Sequence, residues 1–203
     1  MEILKFVLLF IGAYFIGNFS FARILSARQK RDITKMGSGN PGTMNMLRNF
    51  GFKTGALTLV LDALKGALPS LVGFLIFGGT AGGGMAYLGL YIGGFGAILG
   101  HNFPVVYKFK GGKGIASTIG VFLVCQSVYG LEWAVIIIMS LVAALTFIYL
   151  TEFGAMGSFI AITPPAIASL VRLFVVYASS QNQTTINFYM ATTTLIFAIC
   201  LFT

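Results

Sequence analysis

The sequence predicts an all-α polytopic membrane protein, a bundle of seven transmembrane helices with a short interfacial helix and loops on the cytosolic side. Three observations carry this expectation. Of 203 residues, 57% are hydrophobic and only 9% are charged, with a mean hydropathy of +0.92; a soluble domain of this size needs a far more charged surface. The apolar residues fall in long continuous runs. A membrane barrel would instead alternate polar and apolar positions in shorter segments, and an open sheet edge in lipid would leave backbone groups unpaired. Finally, the cations gather in alternate connections, the pattern of a multi-pass chain.

About 20 residues of helix, at roughly 1.5 Å each, cross the hydrocarbon core. The first run, 3–22, lacks the positive n-region and small-residue cleavage site of a secretory signal and reads as a retained span. The others are 54–77, 84–103, 114–131, 132–150, 156–176 and 186–202. Glu132 alone marks the turn between the fourth and fifth, so six spans with one long bent segment is the alternative.

The first connection carries Arg23, Arg28, Lys30, Arg31, Lys35, Arg48 and Lys53, and the third carries Lys108, Lys110 and Lys113. The connections around GGTAGGG (78–84) and YASSQNQTT (177–185) carry none. Positive-inside bias then puts the first and third connections in the cytoplasm and the N-terminus outside. Lys5 and Arg172 fall near the opposite face, where snorkelling would bring their charges to the interface. Glycines inside spans, as in LGLYIGGFGAILG (88–100), let helices pack closely.

Composition also narrows the function. A net charge of +8 on so apolar a chain leaves little surface for wrapping nucleic acid. Cys125 and Cys200 lie in apolar runs and read as small hydrophobes, and one histidine without a CxxC argues against a protein-built zinc site.

Two loops stand out. In MGSGNPGTMNMLRNFG (36–51), Gly37, Gly39 and Gly42 make the backbone permissive while Ser38 and Asn40 are turn or cap residues. Asn40-Pro41 suits a helix start, and a helix through Arg48 puts Asn45 and Arg48 on one face. Its free N–H groups would suit an anion, although a plain interfacial capping helix fits the same residues. In KFKGGKGIAST (108–118), Gly111, Gly112 and Gly114 allow N–H groups to converge, Lys113 supplies a point charge, and Lys108 and Lys110 add field. This is neither a Walker A loop nor a dinucleotide fingerprint. Alone, it reads equally as positive-inside charge on a turn.

Both loops on one membrane face suggest a pocket for one or two phosphates, with the neighbouring spans giving a route for an acyl chain. A phosphate transporter fits that much equally well. His101 reads as a cap or a loop-orienting group. Asp62, three residues before Lys65, is an intramembrane carboxylate and so a functional hypothesis by default, with a self-neutralising Asp–Lys pair as the other reading. In TEFGAMGS (151–158), Glu152 could meet a substrate hydroxyl or simply sit at the boundary, and Gly154 and Gly157 suggest close approach to the other loops. The single histidine supports no Ser-His-Asp arrangement.

Together, GSGNPGTMNMLR (37–48), LDALKG (61–66) and GHNFPVVYKFKGGKGIAS (100–117) resemble the motifs of the bacterial acyl-phosphate:glycerol-3-phosphate acyltransferase family, integral membrane enzymes of phospholipid synthesis. The resemblance implies seven spans in the bacterial inner membrane, the N-terminus outside, and active-site loops at the cytosolic face. It implies acyl transfer from acyl phosphate to the 1-hydroxyl of sn-glycerol 3-phosphate, with membrane lipid around the chain and no nucleotide, metal or thioester cofactor. Ser38, Arg48 and Lys113 fall on functional family positions and are the expected catalytic residues. Gly37, Gly39, Asn40, Asn45, His101, Lys108, Gly111, Gly112, Gly114 and Ser158 are the expected substrate-binding residues, with Asp62 and Lys65 in support.

The sequence also departs from the family. Thr43-Met44 stands where an Ala-Thr pair is usual, and Ala155 replaces the first serine of a Ser-Leu-Ala-Ser segment. The sequence ends at ICLFT, 199–203, where the family's Arg/Lys-His and nearby Asn begin. The expectation is one acyltransferase domain over 1–203, monomeric, either a piece of a longer protein or a divergent member lacking those groups. A transporter of phosphate esters, which would bring inverted repeats and a midplane ion site, and a catalytically impaired lipid-binding relative are the competing readings.

Overall fold

In lipid the backbone must satisfy itself, so long apolar runs fold as helices. The computed structural model has them in the expected order and describes residues 1–128 and 130–179 and, beyond these, Met190, Thr192, Thr193 and Ile196. The helices are α1 (Glu2–Gly17), α2 (Phe21–Arg28), α3 (Thr43–Ile76), α4 (Gly83–Asn102), α5 (Ile115–Ser127), α6 (Leu131–Thr151) and α7 (Gly154–Ser179). Short 3₁₀ turns occur at Ile33–Lys35, Gly79–Gly82 and Val105–Tyr107.

The expected count of seven transmembrane helices is corrected: the chain is an all-α membrane bundle of about five to six. Among the described residues, five helical stretches are long and apolar enough to cross a membrane: Glu2–Arg28, Thr43–Ile76, Gly79–Tyr107, Glu132–Thr151 and Gly154–Ser179. The expected fourth span shrinks to the 13 residues of α5. At about 1.5 Å per residue these reach roughly 20 Å, against a hydrocarbon core of about 30 Å. The reason is burial. Ala116 through Phe122, Cys125 and Gln126 are all enclosed by protein, so α5 is apolar because it is central. The expected seventh span, 186–202, lies outside the described residues.

The first span also breaks. Asn18 donates its side-chain amide to the Tyr14 carbonyl at 2.7 Å, ending α1, and the chain turns before α2. In α3 the break is Gly51, whose φ of 80° and ψ of 173° interrupt the helix. The residues before it form the expected interfacial helix and those after it the second span.

α4 packs along α1 and α3, α3 also packs on α5, and α6 pairs with α7 and α5. Glycines make the closest of these contacts possible. A Cβ on Gly66 or Gly120 would collide with backbone of α5 or α3 respectively, and one on Gly100 with the Tyr14 carbonyl of α1. Such small-residue seams drive helix packing in a bilayer, where apolar burial gives no advantage over lipid. The core gathers Leu90, Tyr91, Ile98, Val121, Phe122 and Ile137, while Leu4, Leu8, Ile138, Met139, Val142, Phe159 and Phe174 face outward. Arg172 does not snorkel: it is only 7% exposed, with its guanidinium 5.2 Å from the centre of the Trp133 ring.

Candidate active site

Gly37 and Gly39 adopt left-handed backbone, with φ of 52° and 70°, and so fold residues 36–42 back over the start of α3. The buried side chain of Asn45, one turn into that helix, holds the fold in place. Its Nδ2 donates to the carbonyls of Ile33, Met36 and Asn40 at 3.3, 2.9 and 3.0 Å. Its Oδ1 accepts from the Ser38 N–H at 3.3 Å and from Asn49 at 2.9 Å. Asn45 therefore acts on the loop itself, while Arg48, one turn further on, reaches across the molecule and donates to the Glu152 carbonyl at 2.8 Å.

The third loop is held against the end of α4. The Gly112 N–H donates to the His101 carbonyl at 3.1 Å. A side chain on Gly111 would strike the His101 and Asn102 carbonyls, one on Gly112 the His101 imidazole, and one on Gly114 the Asn102 side chain. These glycines are required for close approach to α4, which leaves the exposed Lys113 as the group the loop presents. The first and third connections are also tied to each other. Arg23 donates to the Lys110 carbonyl at 2.9 Å with its guanidinium 4.4 Å from the Tyr107 ring centre, and Tyr14 donates to the Phe103 carbonyl at 2.7 Å.

Beneath the loops lies a buried charged cluster. Asp62 and Lys65 pair at 2.9 Å, Lys65 donates to the Phe19 carbonyl at 2.6 Å, and His101 Nδ1 lies 3.8 Å from the same Asp62 oxygen. Through Lys65 the cluster fixes the α1–α2 turn to α3, and the imidazole lies beside it without a hydrogen bond from Nδ1 among the described residues. Breaking such a buried pair leaves an uncompensated charge and costs on the order of 3–5 kcal/mol.

These elements enclose a cavity of about 450 Å³. Its polar lining comprises Ser38, Asn40, Asn45, Arg48, Asp62, His101, Lys113, Gly114 and Ser158. Its aliphatic lining includes Leu59 of α3, Ile119 of α5, Leu141, Ala144, Leu145 and Ile148 of α6, and Ala161 of α7. Cations and aliphatic walls in one cavity suit an amphiphile with an anionic head. Among the described residues no group of three or more His, Cys, Asp or Glu is placed to hold a metal.

Residues expected to act together are thus largely brought together, with distinctions. Gly39, Lys108 and Gly111 line a second, adjoining cavity, whereas Gly37, Gly112 and Lys65 line neither. The Ser158 hydroxyl donates back to the Gly154 carbonyl at 2.9 Å.

The family model for glycerol-3-phosphate acyltransferase matches residues 7–202, nearly the whole chain. The chain belongs to the glycerol-3-phosphate acyltransferase family. The glycerol-3-phosphate acyltransferase of Thermoanaerobacter pseudethanolicus is 39% identical over 153 residues, covering 75% of this chain and 70% of the relative. That of Finegoldia magna is 36% identical over 174 residues, covering 85% and 80%. Among solved structures, PlsY (YgiH), an integral membrane glycerol 3-phosphate acyltransferase, in its glycerol 3-phosphate form superposes with a TM-score of 0.67 at 26% identity, over 96% of this chain and 87% of that one. Its lysophosphatidic acid form gives 0.63 over the same shares.

Within this cavity lie residues that the sequence does not single out as site residues. Thr43, noted only as a departure from the family motif, has a hydroxyl in the cavity region that is buried and has no partner among the described residues. Its signal was its place as the first residue of α3 after the glycine loop. The aliphatic lining residues had no signal, because Leu, Ile and Ala recur in every span.

Proposed function

We infer that this cavity is an acyl-transfer chamber. The chain transfers an acyl group from acyl phosphate to the 1-hydroxyl of sn-glycerol 3-phosphate, forming 1-acylglycerol 3-phosphate and phosphate. It is a multi-pass protein of the inner membrane, with the chamber's loops on the cytosolic side and the N-terminus outside; the cations of the first and third connections support that orientation. The observation that carries the reading is the single cavity lined both by Arg48 and Lys113 and by aliphatic side chains of α3, α5, α6 and α7.

The chemistry follows from those groups. Acyl phosphate is an activated mixed anhydride, so the protein has little electrophile to create. Arg48 and Lys113 hold phosphate, and Lys113 stabilises the charge that grows on it as it leaves. The glycerol hydroxyl oxygen bonds to the acyl carbon, the bond from that carbon to the phosphate oxygen breaks, and the hydroxyl proton ends on the departing phosphate. Ser38, Asn40 and Ser158 position the glycerol head, and such positioning supplies a large part of the rate. Asn45 keeps the first loop in shape, and Asp62 with Lys65 pins the α1–α2 turn to α3.

The test is direct. The purified chain in phospholipid vesicles, given palmitoyl phosphate and labelled glycerol 3-phosphate, should yield lysophosphatidate and phosphate in equal amounts. Lys113→Ala should lower kcat by about 10²–10³-fold, as loss of a transition-state charge contact does. Wild-type turnover in that variant would remove Lys113 from catalysis, and no product from the wild-type chain would end the reading.

A further inference from the structure

The second cavity, of about 670 Å³, meets the first at Ser38 and Asn40, which line both. Its character is different. Arg23, Lys108 and Lys110 line it together with Thr34 and Tyr107, and Val106 and Pro41 are its aliphatic side chains. Among the described residues no carboxylate lines it. Asp32 lies close enough to feel Arg23, but it caps the 3₁₀ turn, accepting from the Thr34 N–H at 3.0 Å and the Thr34 hydroxyl at 2.7 Å. Those two hydrogen bonds, hydroxyl first, hold its carboxyl below the ordinary carboxylate value.

The cations are held in place. Lys108 and Phe109 both adopt left-handed backbone, with φ of 54° and 61°, a strained conformation for residues with side chains. Successive turns fix it, with the Lys108, Phe109 and Lys110 N–H groups donating to Val105, Pro104 and Tyr107 at 3.2, 2.9 and 3.1 Å. The result sends both lysines to the cavity wall and leaves Phe109 exposed and outside it. Arg23 is locked on Tyr107, and its Nε is buried with no hydrogen-bond partner among the described residues.

One reactant carries a long apolar chain and the other is a small, freely soluble dianion, so they need different ways into one chamber. The aliphatic lining of the first cavity serves the first. We propose that the second cavity is an anion antechamber through which glycerol 3-phosphate reaches the chamber and inorganic phosphate leaves it, with Arg23, Lys108 and Lys110 as its binding groups and residues 38–40 as the partition. This rests on the acyl-transfer reading above and adds a site to it. A low-dielectric cleft lined by one sign of charge concentrates the opposite ion and speeds its capture, and salt screens the effect.

The experiment is steady-state kinetics of the full chain in vesicles of zwitterionic lipid, varying each substrate in turn, for Lys110→Gln and for the Lys108→Gln/Lys110→Gln double variant. The KM for glycerol 3-phosphate should rise by about five- to tenfold in the double variant. Its kcat should stay within about twofold and the KM for acyl phosphate should not move, because the reacting groups lie beyond the partition. Inhibition by inorganic phosphate should weaken in parallel, and the salt dependence of the glycerol 3-phosphate KM should flatten. Lys53→Gln removes the same charge from the same membrane face outside both cavities and should leave that KM unchanged. An unaltered KM for glycerol 3-phosphate in the double variant would overturn the antechamber alone, as would an equal rise in Lys53→Gln or an equal rise for both substrates. Absence of product from the wild-type chain would overturn the underlying reading and the antechamber with it.

Discussion

In the first loop, Gly37 and Gly39 stand at φ of 52° and 70°, rotated to where side chains are strained. In the third loop, Gly111 and Gly112 keep ordinary backbone, and the space their side chains would fill is taken by His101, Asn102 and Pro104. The two loops look alike in sequence, each a run of glycines beside a cation. One uses glycine for rotation, so that the chain can fold back over α3 and be held there by Asn45. In the other, Gly111 and Gly112 serve by their missing side chains, so that the loop can lie on the end of α4 and present Lys113, and only Gly114 is rotated, at φ of 79°. The first loop is therefore held by a buried side chain, Asn45, and the third by a backbone hydrogen bond from Gly112 to the His101 carbonyl.

Substitutions at the glycines separate the two uses, and three should fall in a fixed order. Gly112→Ala places a Cβ where the buried His101 imidazole stands. Overpacking of this kind should cost about 3 kcal/mol, read as a lower midpoint in denaturant unfolding in mild detergent, with a matching fall in turnover. Gly37→Ala meets a left-handed φ and the Asn45 and Asn49 side-chain ends, so it strains the backbone and presses on the amide that holds the loop. Its cost should be about 2 kcal/mol, mostly backbone strain. Gly39→Asn asks least: its φ of 70° is one asparagine tolerates, and only the Thr34 carbonyl is near, at 3.2 Å from an added Cβ. It should stay within about 1 kcal/mol of wild type. If Gly112→Ala proved as mild as Gly39→Asn, the third loop would be free of α4 and the contrast would fail.

Much of the fold was legible because the bilayer leaves the backbone few options. The expected spans 84–103, 132–150 and 156–176 match α4, α6 and α7 to within a few residues. The fourth was misread because apolarity measures absence of water, and α5 escapes water by lying inside the bundle. The break at Asn18 was hidden because a polar residue that caps its own helix resembles one at a membrane boundary. In the site, Ser38, Asn40, Arg48, His101 and Lys113 were legible as polar or charged residues in a chain with few of them, and all five line one cavity. Arg23 was legible only as one of many loop cations, since its stacking on Tyr107 joins residues far apart in sequence.

The sequence by itself determined that this protein is helical, lies in a membrane, gathers its cations in the first and third connections and carries the acyltransferase motifs, because those properties are local or additive along the chain. Only the tertiary structure decided that α5 is a short central helix, that Asn45 holds a loop, that Asp62, Lys65 and His101 form one cluster, and that two cavities of unlike polarity share the wall at residues 38–40. Each of these depends on which helices approach closely enough for backbone and side chain to meet, and that distance is set by packing between segments the sequence keeps apart.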